Sequence, residues 1–165
     1  MFVQEVTKVS LDSFRQRSSG KKVILLYPWT SYRTLFLTHF LSSDREGLLY
    51  YRITTEETTL KLFLQGLLQE FTSVLGNFGD NLRQALPDGS PTALGEALAA
   101  DLNAIGESST ILYIDELDRI PMDDSFNQFI KALSGRLNKG VQVAFSSRLL
   151  MYQPWYDMVA RGEAI

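Results

Sequence analysis

The sequence predicts an α/β domain built on a parallel sheet covered by helices on both faces. Three observations carry that expectation. Four short apolar runs are rich in β-branched or aromatic residues, amphipathic stretches of helical period separate them, and the runs lack the period-2 alternation of strands with one wet face. With 165 residues, 45% of them hydrophobic, the chain suits one well-filled core, whereas two independent domains would each be undersized.

The strand-like runs fall at residues 23–27, 48–54, 111–115 and 141–146. After the first, TLFLTHFL has the apolar density of a short helix buried on most sides, ended by the SSDREG turn; its His39 has no catalytic partner in view. Over residues 58–75, Leu60, Leu64, Leu67, Leu68, Phe71 and Leu75 share one helical face. GNFGDNLRQALPDGSP reads as a loop with room for a short helical turn, closed by Ser90 as N-cap and Pro91 at the first helical position. The helix that follows runs to about Ile105 and aligns Leu94, Leu98, Leu102 and Ile105. Beyond the third strand, Asp123 or Asp124 caps a helix that buries Phe126, Phe129, Ile130, Leu133 and Leu137 and ends near Gly140. Trp155 and Tyr156, after Pro154, anchor a further helix start.

Composition excludes several chemistries. There is no cysteine, hence no disulfide, thiolate metal site or cysteine nucleophile, and one histidine cannot build a multi-histidine metal site. Sixteen basic against 19 acidic residues leave a net charge of -3, so no general field draws in nucleic acid or anionic lipid, and neither is expected as a partner. No run approaches the roughly 18 apolar residues of a membrane span, and the first residues lack a basic leader, so a soluble cytoplasmic protein is expected.

Ligands of parallel sheets bind at the carboxyl ends of the strands. The third run ends ILYIDELD, in which an apolar strand delivers Asp115 and Glu116, the form of a Walker B element. In that role Asp115 holds Mg²⁺ and Glu116 polarises the attacking water; the alternative is a solvated strand end. The first run continues as KKVILLYPWTSYRTLFL, with the strand, tight loop and helix of a P-loop. Laid over G-x-x-x-x-G-K-S/T, the segment from Tyr27 to Thr34 keeps only the final threonine.

Here the sequence resembles the NTPase domain of MalT-like (LuxR-type) transcriptional regulators of the STAND class, whose loop reads A-P-A-G-Y-G-K-T-T-L. Pro28 and Thr34 match that loop and Phe36 keeps an apolar residue, while Thr30, Tyr32 and Arg33 stand where Gly, Gly and Lys belong. LLYYRITTEETTLKLFLQGLLQEF is similar to the family's second strand, acidic turn and leucine-rich helix, and VQVAFSSRLLMYQPW to its fourth strand followed by S-R. The resemblance implies a three-layer P-loop NTPase-like fold with a parallel sheet of four or five strands, the Walker B strand central and the fourth strand between it and the first. It implies Arg33, Thr34 and Ser147 at the nucleotide, Thr34 and Asp115 at Mg²⁺, and Glu116 and Arg148 as catalytic groups if the domain is active. It also implies that a fifth strand begins near RGEAI, within a larger regulator whose other domains, or other copies, are the partners.

The departures argue against efficient catalysis. Loop glycines permit φ > 0 and let amides approach phosphate, and a β-carbon obstructs both. Arg33 keeps a charge, but its planar fork is bulkier than the ammonium it replaces. A degenerate module with no tightly bound cofactor is therefore expected, the alternative being an ATP-binding switch that takes ATP or ADP with Mg²⁺ and hydrolyses slowly. In the degenerate case Trp29 and Tyr32 plug the vacated cavity rather than stack on a base, and Arg33 or Arg148 pairs with Asp115 or Glu116. The outer edge of the first strand is expected to be covered by the N-terminal segment or by another chain.

Overall fold

The computed structural model describes residues 16–27, 48–105 and 110–165. Four strands, β1 (Val23–Leu26), β2 (Leu48–Arg52), β3 (Thr110–Asp115) and β4 (Val141–Ser146), form one parallel sheet in the order β1-β4-β3-β2. The strand with the acidic pair is thus interior and β4 separates it from β1, as expected. Since all four run the same way, their carboxyl ends share one edge, where Leu26 lies beside Ser146 and Arg52 beside Asp115. β1 and β2 stop one and two residues earlier than the apolar runs suggested, and Tyr27 is exposed.

The helices are α1 (Leu60–Val74), α2 (Asp80–Ala85), α3 (Pro91–Asn103), α4 (Asp124–Arg136) and α5 (Gln153–Ala160). Their starts follow local chemistry. Thr59 Oγ1 accepts from the Leu62 N–H at 3.2 Å, Ser90 Oγ from Ala93 at 3.2 Å, and Asp123 Oδ1 from Phe126 at 3.0 Å, each satisfying an orphan amide of a first turn. Between Asp123 and Asp124, the cap is therefore Asp123. α4 stops at Arg136, short of Gly140, because Leu137 turns to an extended conformation.

In the stretch read mainly as loop, α2 is a six-residue helix. Its start has no side-chain cap of its own. Buried Asp101 on α3 supplies one from a distance, accepting from the Asn81 N–H, the Asn81 side-chain amide and the Leu82 N–H at 3.1, 2.9 and 2.9 Å.

One face of the sheet, with Tyr51, Leu112, Ile114, Val143 and Phe145, joins the apolar faces of α1, α3 and α4 in the main core. α3 approaches α4 closely at Gly95, where a β-carbon would stand 2.9 Å from Ala132 Cβ and 3.0 Å from the Leu133 nitrogen. Phe126, Phe145 and Trp155 knit α4, β4 and α5, with ring centroids 5.7–6.4 Å apart. Trp155 is buried as the anchor of α5, whereas Tyr156 is 51% exposed and does not share that role. The other face carries a smaller cluster of Ile24, Ile111, Tyr113 and Ala144.

The outer edge of β1 corrects an expectation. The N-terminal segment lies outside the described residues; among those described, residues 163–165 run along this edge. The Leu25 N–H donates to Ile165 O at 2.7 Å, the Ile165 N–H donates to Val23 O at 3.2 Å, and Ala164 bridges Val23 in parallel. This is the position at which the resemblance placed a fifth strand.

Candidate functional site at the carboxyl edge of the sheet

β3 and β4 bring four of the expected residues to one edge. Asp115 ends β3 and Glu116 follows it; Ser147 and Arg148 follow β4 on the neighbouring strand. Arg33 and Thr34, with Trp29, Thr30, Tyr32 and His39, lie outside the described residues.

Asp115 is wholly buried. Its Oδ2 accepts the Tyr50 hydroxyl at 2.8 Å and its Oδ1 accepts the Glu116 N–H at 3.0 Å. Tyr50 reaches it because β2 and β3 pair in register, stacking the Tyr50 and Tyr113 rings 5.5 Å apart and aiming the phenol along the sheet. Among the described residues, no group of three or more His, Cys, Asp or Glu side chains converges as a metal site. A carboxylate is the residue type that would serve Mg²⁺ as one ligand among waters and phosphate oxygens, and here both oxygens of Asp115 already accept hydrogen bonds.

Glu116 adopts φ 60 and ψ 44, the only left-handed non-glycine among the described residues. That conformation costs on the order of 1–2 kcal/mol for a residue with a β-carbon. It starts the 3-10 turn Leu117–Arg119 and turns the carboxylate between two arginines. Arg52 Nη2 donates to Oε1 at 2.9 Å, and Arg119 Nε donates to Oε2. Burial raises the Glu116 pKa, but the hydrogen bonds and charges of Arg52 and Arg119 outweigh it and hold the group at about 2.

Arg148 does not make the ion pair expected of it with Asp115 or Glu116; the other arginine named for that pair, Arg33, lies outside the described residues. The backbone N–H of Arg148 donates to Asp118 Oδ1 at 3.3 Å and its Nε lies 3.9 Å from Asp118 Oδ2, so its partner is Asp118 and neither acid that ends β3. The reason is local: the 3-10 turn advances the chain so that Asp118 faces β4 while Glu116 faces β2. Ser147 is buried, donates its N–H to Leu26 O at 3.0 Å and accepts the Leu149 N–H on its hydroxyl at 3.0 Å. It therefore stitches the end of β4 to that of β1.

Sequence reasoning missed Tyr50, Arg52, Arg119 and Asp118. The sequence does hold a faint signal for the first two, since Tyr50 and Arg52 share a strand face and precede the same edge.

Sheet order, helices and site edge define an α/β domain of the P-loop NTPase-like fold. The chain is similar in structure to a Signal Transduction ATPase with Numerous Domains (STAND) protein with a tetratricopeptide repeat sensor from Pyrococcus horikoshii, at a TM-score of 0.56 and 15% sequence identity. The similarity covers 85% of this chain and 20% of that one, so this chain spans about a fifth of that protein's length; at this identity the likeness is one of fold. The chain matches no family model and no curated protein. No helix among the described residues is long and apolar enough to cross a membrane.

Proposed function

We propose that this domain is a degenerate STAND-type NTPase module of a signalling or MalT-like transcriptional regulator, with weak or absent nucleotide binding and hydrolysis. The observation that carries this reading is the state of Glu116. A general base must be able to accept a proton near the working pH, and a carboxylate bonded to two arginines and held at about 2 is a poor one. The loop sequence adds to it: Thr30, Tyr32 and Arg33 replace the residue types that cradle phosphate. Its partners would be other domains of the same regulator or further copies of the chain.

A second reading, a competent ATP-binding switch with slow hydrolysis, draws on Asp115. That carboxylate is kept at the end of the interior strand and oriented by Tyr50, with Ser147 and Arg148 on the adjacent strand. Asp115 and Thr34 would then hold Mg²⁺, which neutralises phosphate charge when bound. Arg33 and Ser147 would contact the nucleotide.

Melting the purified chain with millimolar ATP or ADP and Mg²⁺, beside phosphate-release assays, separates the two. The degenerate reading expects no rise in melting temperature and no release above the Asp115→Ala background. Micromolar affinity with steady turnover, both abolished by Asp115→Ala, defeats it.

A further inference from the structure

We propose that this chain associates head to tail with further copies of itself, the surface before α5 in one copy docking on the surface at the end of α5 in the next. The inference stands on exposed apolar side chains and the charges beside them, and it holds whether or not the domain takes nucleotide.

Half of the large apolar side chains exposed among the described residues fall between 149 and 159, and they form two groups. Leu149 and the 91% exposed Met151 precede α5 at the carboxyl edge of the sheet. Tyr156 and Val159, both half-exposed, lie three residues apart on α5 and share a face that runs to its end.

The first group has acids beside it. The Tyr152 hydroxyl, next to Met151 in the chain, donates to Asp123 O at 3.2 Å, which sets this loop against the start of α4, where Asp123 and Asp124 are exposed. Burial, and then the charges of Asp123 and Asp124, push the Tyr152 hydroxyl up to about 12, as two nearby carboxylates should. Neither acid makes an ion pair among the described residues.

The second group has bases beside it. Lys21 Nζ donates to Gly162 O at 2.9 Å and the Gly162 N–H donates to Val159 O at 3.0 Å, so the lysines before β1 stand at the end of α5. Gln142 Nε2 donates to Ser18 O at 2.8 Å and to Lys21 O at 2.7 Å, which brings the turns carrying Arg17 and Lys139 to the same edge. Arg17, Lys21, Lys22 and Lys139 make no ion pair among the described residues, and the nearby Glu163 is taken by Arg161 at 3.0 Å.

The two surfaces match in both respects, apolar to apolar and free carboxylate to free cation. Charge steers and aligns such a contact, and the apolar side chains hold it. Nucleic acid suits the basic surface less, because Asp157 on α5 and Glu163 would face its phosphates. Since each copy presents different surfaces to its two neighbours, association continues past a pair unless a ring closes.

Sedimentation velocity of the full chain tests this. The average mass is expected to grow with concentration, and raising salt from about 0.05 M to about 0.5 M should weaken the apparent Kd by about tenfold or more. Lys21→Glu, Lys22→Glu and Lys139→Glu together leave both surfaces acidic, and Asp124→Lys with Met151→Lys leaves both basic. Each variant alone should remain a monomer, and an equimolar mixture of the two should associate again, because each offers what the other lost. Lys139→Glu alone, on an exposed turn, weakens association less and keeps the test readable if the triple variant does not fold. A monomer throughout, an assembly indifferent to salt, variants that associate as the wild type does, or a mixture that stays monomeric overturns the proposal. So does a random-sequence DNA duplex that binds more tightly than a second copy and is released by the triple variant, which would make the basic surface a polyanion site.

Discussion

Asp118 holds Arg148 twice, through the backbone N–H at 3.3 Å and the guanidinium at 3.9 Å, and so ties the turn after β3 to the end of β4. The side-chain half of this contact is wet, since Arg148 is 73% exposed. Arg148→Ala is therefore expected to cost less than about 1 kcal/mol in urea unfolding. Asp118→Ala removes the acceptor of the backbone amide as well, and should cost more and speed amide exchange at Arg148. Equal costs for the two variants would mean that the backbone bond contributes nothing.

Gly95 gives a sharper test of the core. A β-carbon there meets the α4 backbone at Phe129 and Leu133, which cannot rotate away as a side-chain tip could. Gly95→Ala should destabilise the chain by about 1–3 kcal/mol, although alanine is favoured over glycine within a helix by about 1 kcal/mol. A melting temperature raised by this substitution would show that α3 and α4 stand further apart than described.

The Glu116 ion pairs carry a pH signature. The folded-state pKa of about 2 lies below the ordinary 4.5, so the stabilisation is fully present above about 4.5 and is lost as the pH falls through about 2. Solvent screens the share of half-exposed Arg52, which leaves a contribution on the order of 1–2 kcal/mol. Urea midpoints of the wild type and Glu116→Gln should differ most above pH 4.5 and converge near pH 2. A gap between them that is independent of pH would refute the assignment.

What the sequence determined by itself was the part of the fold written in short-range pattern. Leucine spacing located α1 and α3, Ser90 with Pro91 and the alternatives Asp123 or Asp124 marked helix starts, and unalternating apolar runs marked buried strands. The edge that would carry Asp115, Glu116, Ser147 and Arg148 was legible for the same reason, because a strand end is a local event. The strand order came through family resemblance, and patterning alone could not have supplied it. Tertiary structure decided the partners. α2 exists as a helix because Asp101, about 20 residues away in sequence, supplies its cap. Arg52 meets Glu116 across 64 residues because β2 and β3 pair with Arg52 beside Asp115, and a slip of one residue would send that side chain to the other face. Arg148 turns to Asp118 because the left-handed Glu116 sets the direction of the turn. Charge type and position are in the sequence, but the pairing of charges depends on register and on a single backbone angle, which only the packed sheet fixes.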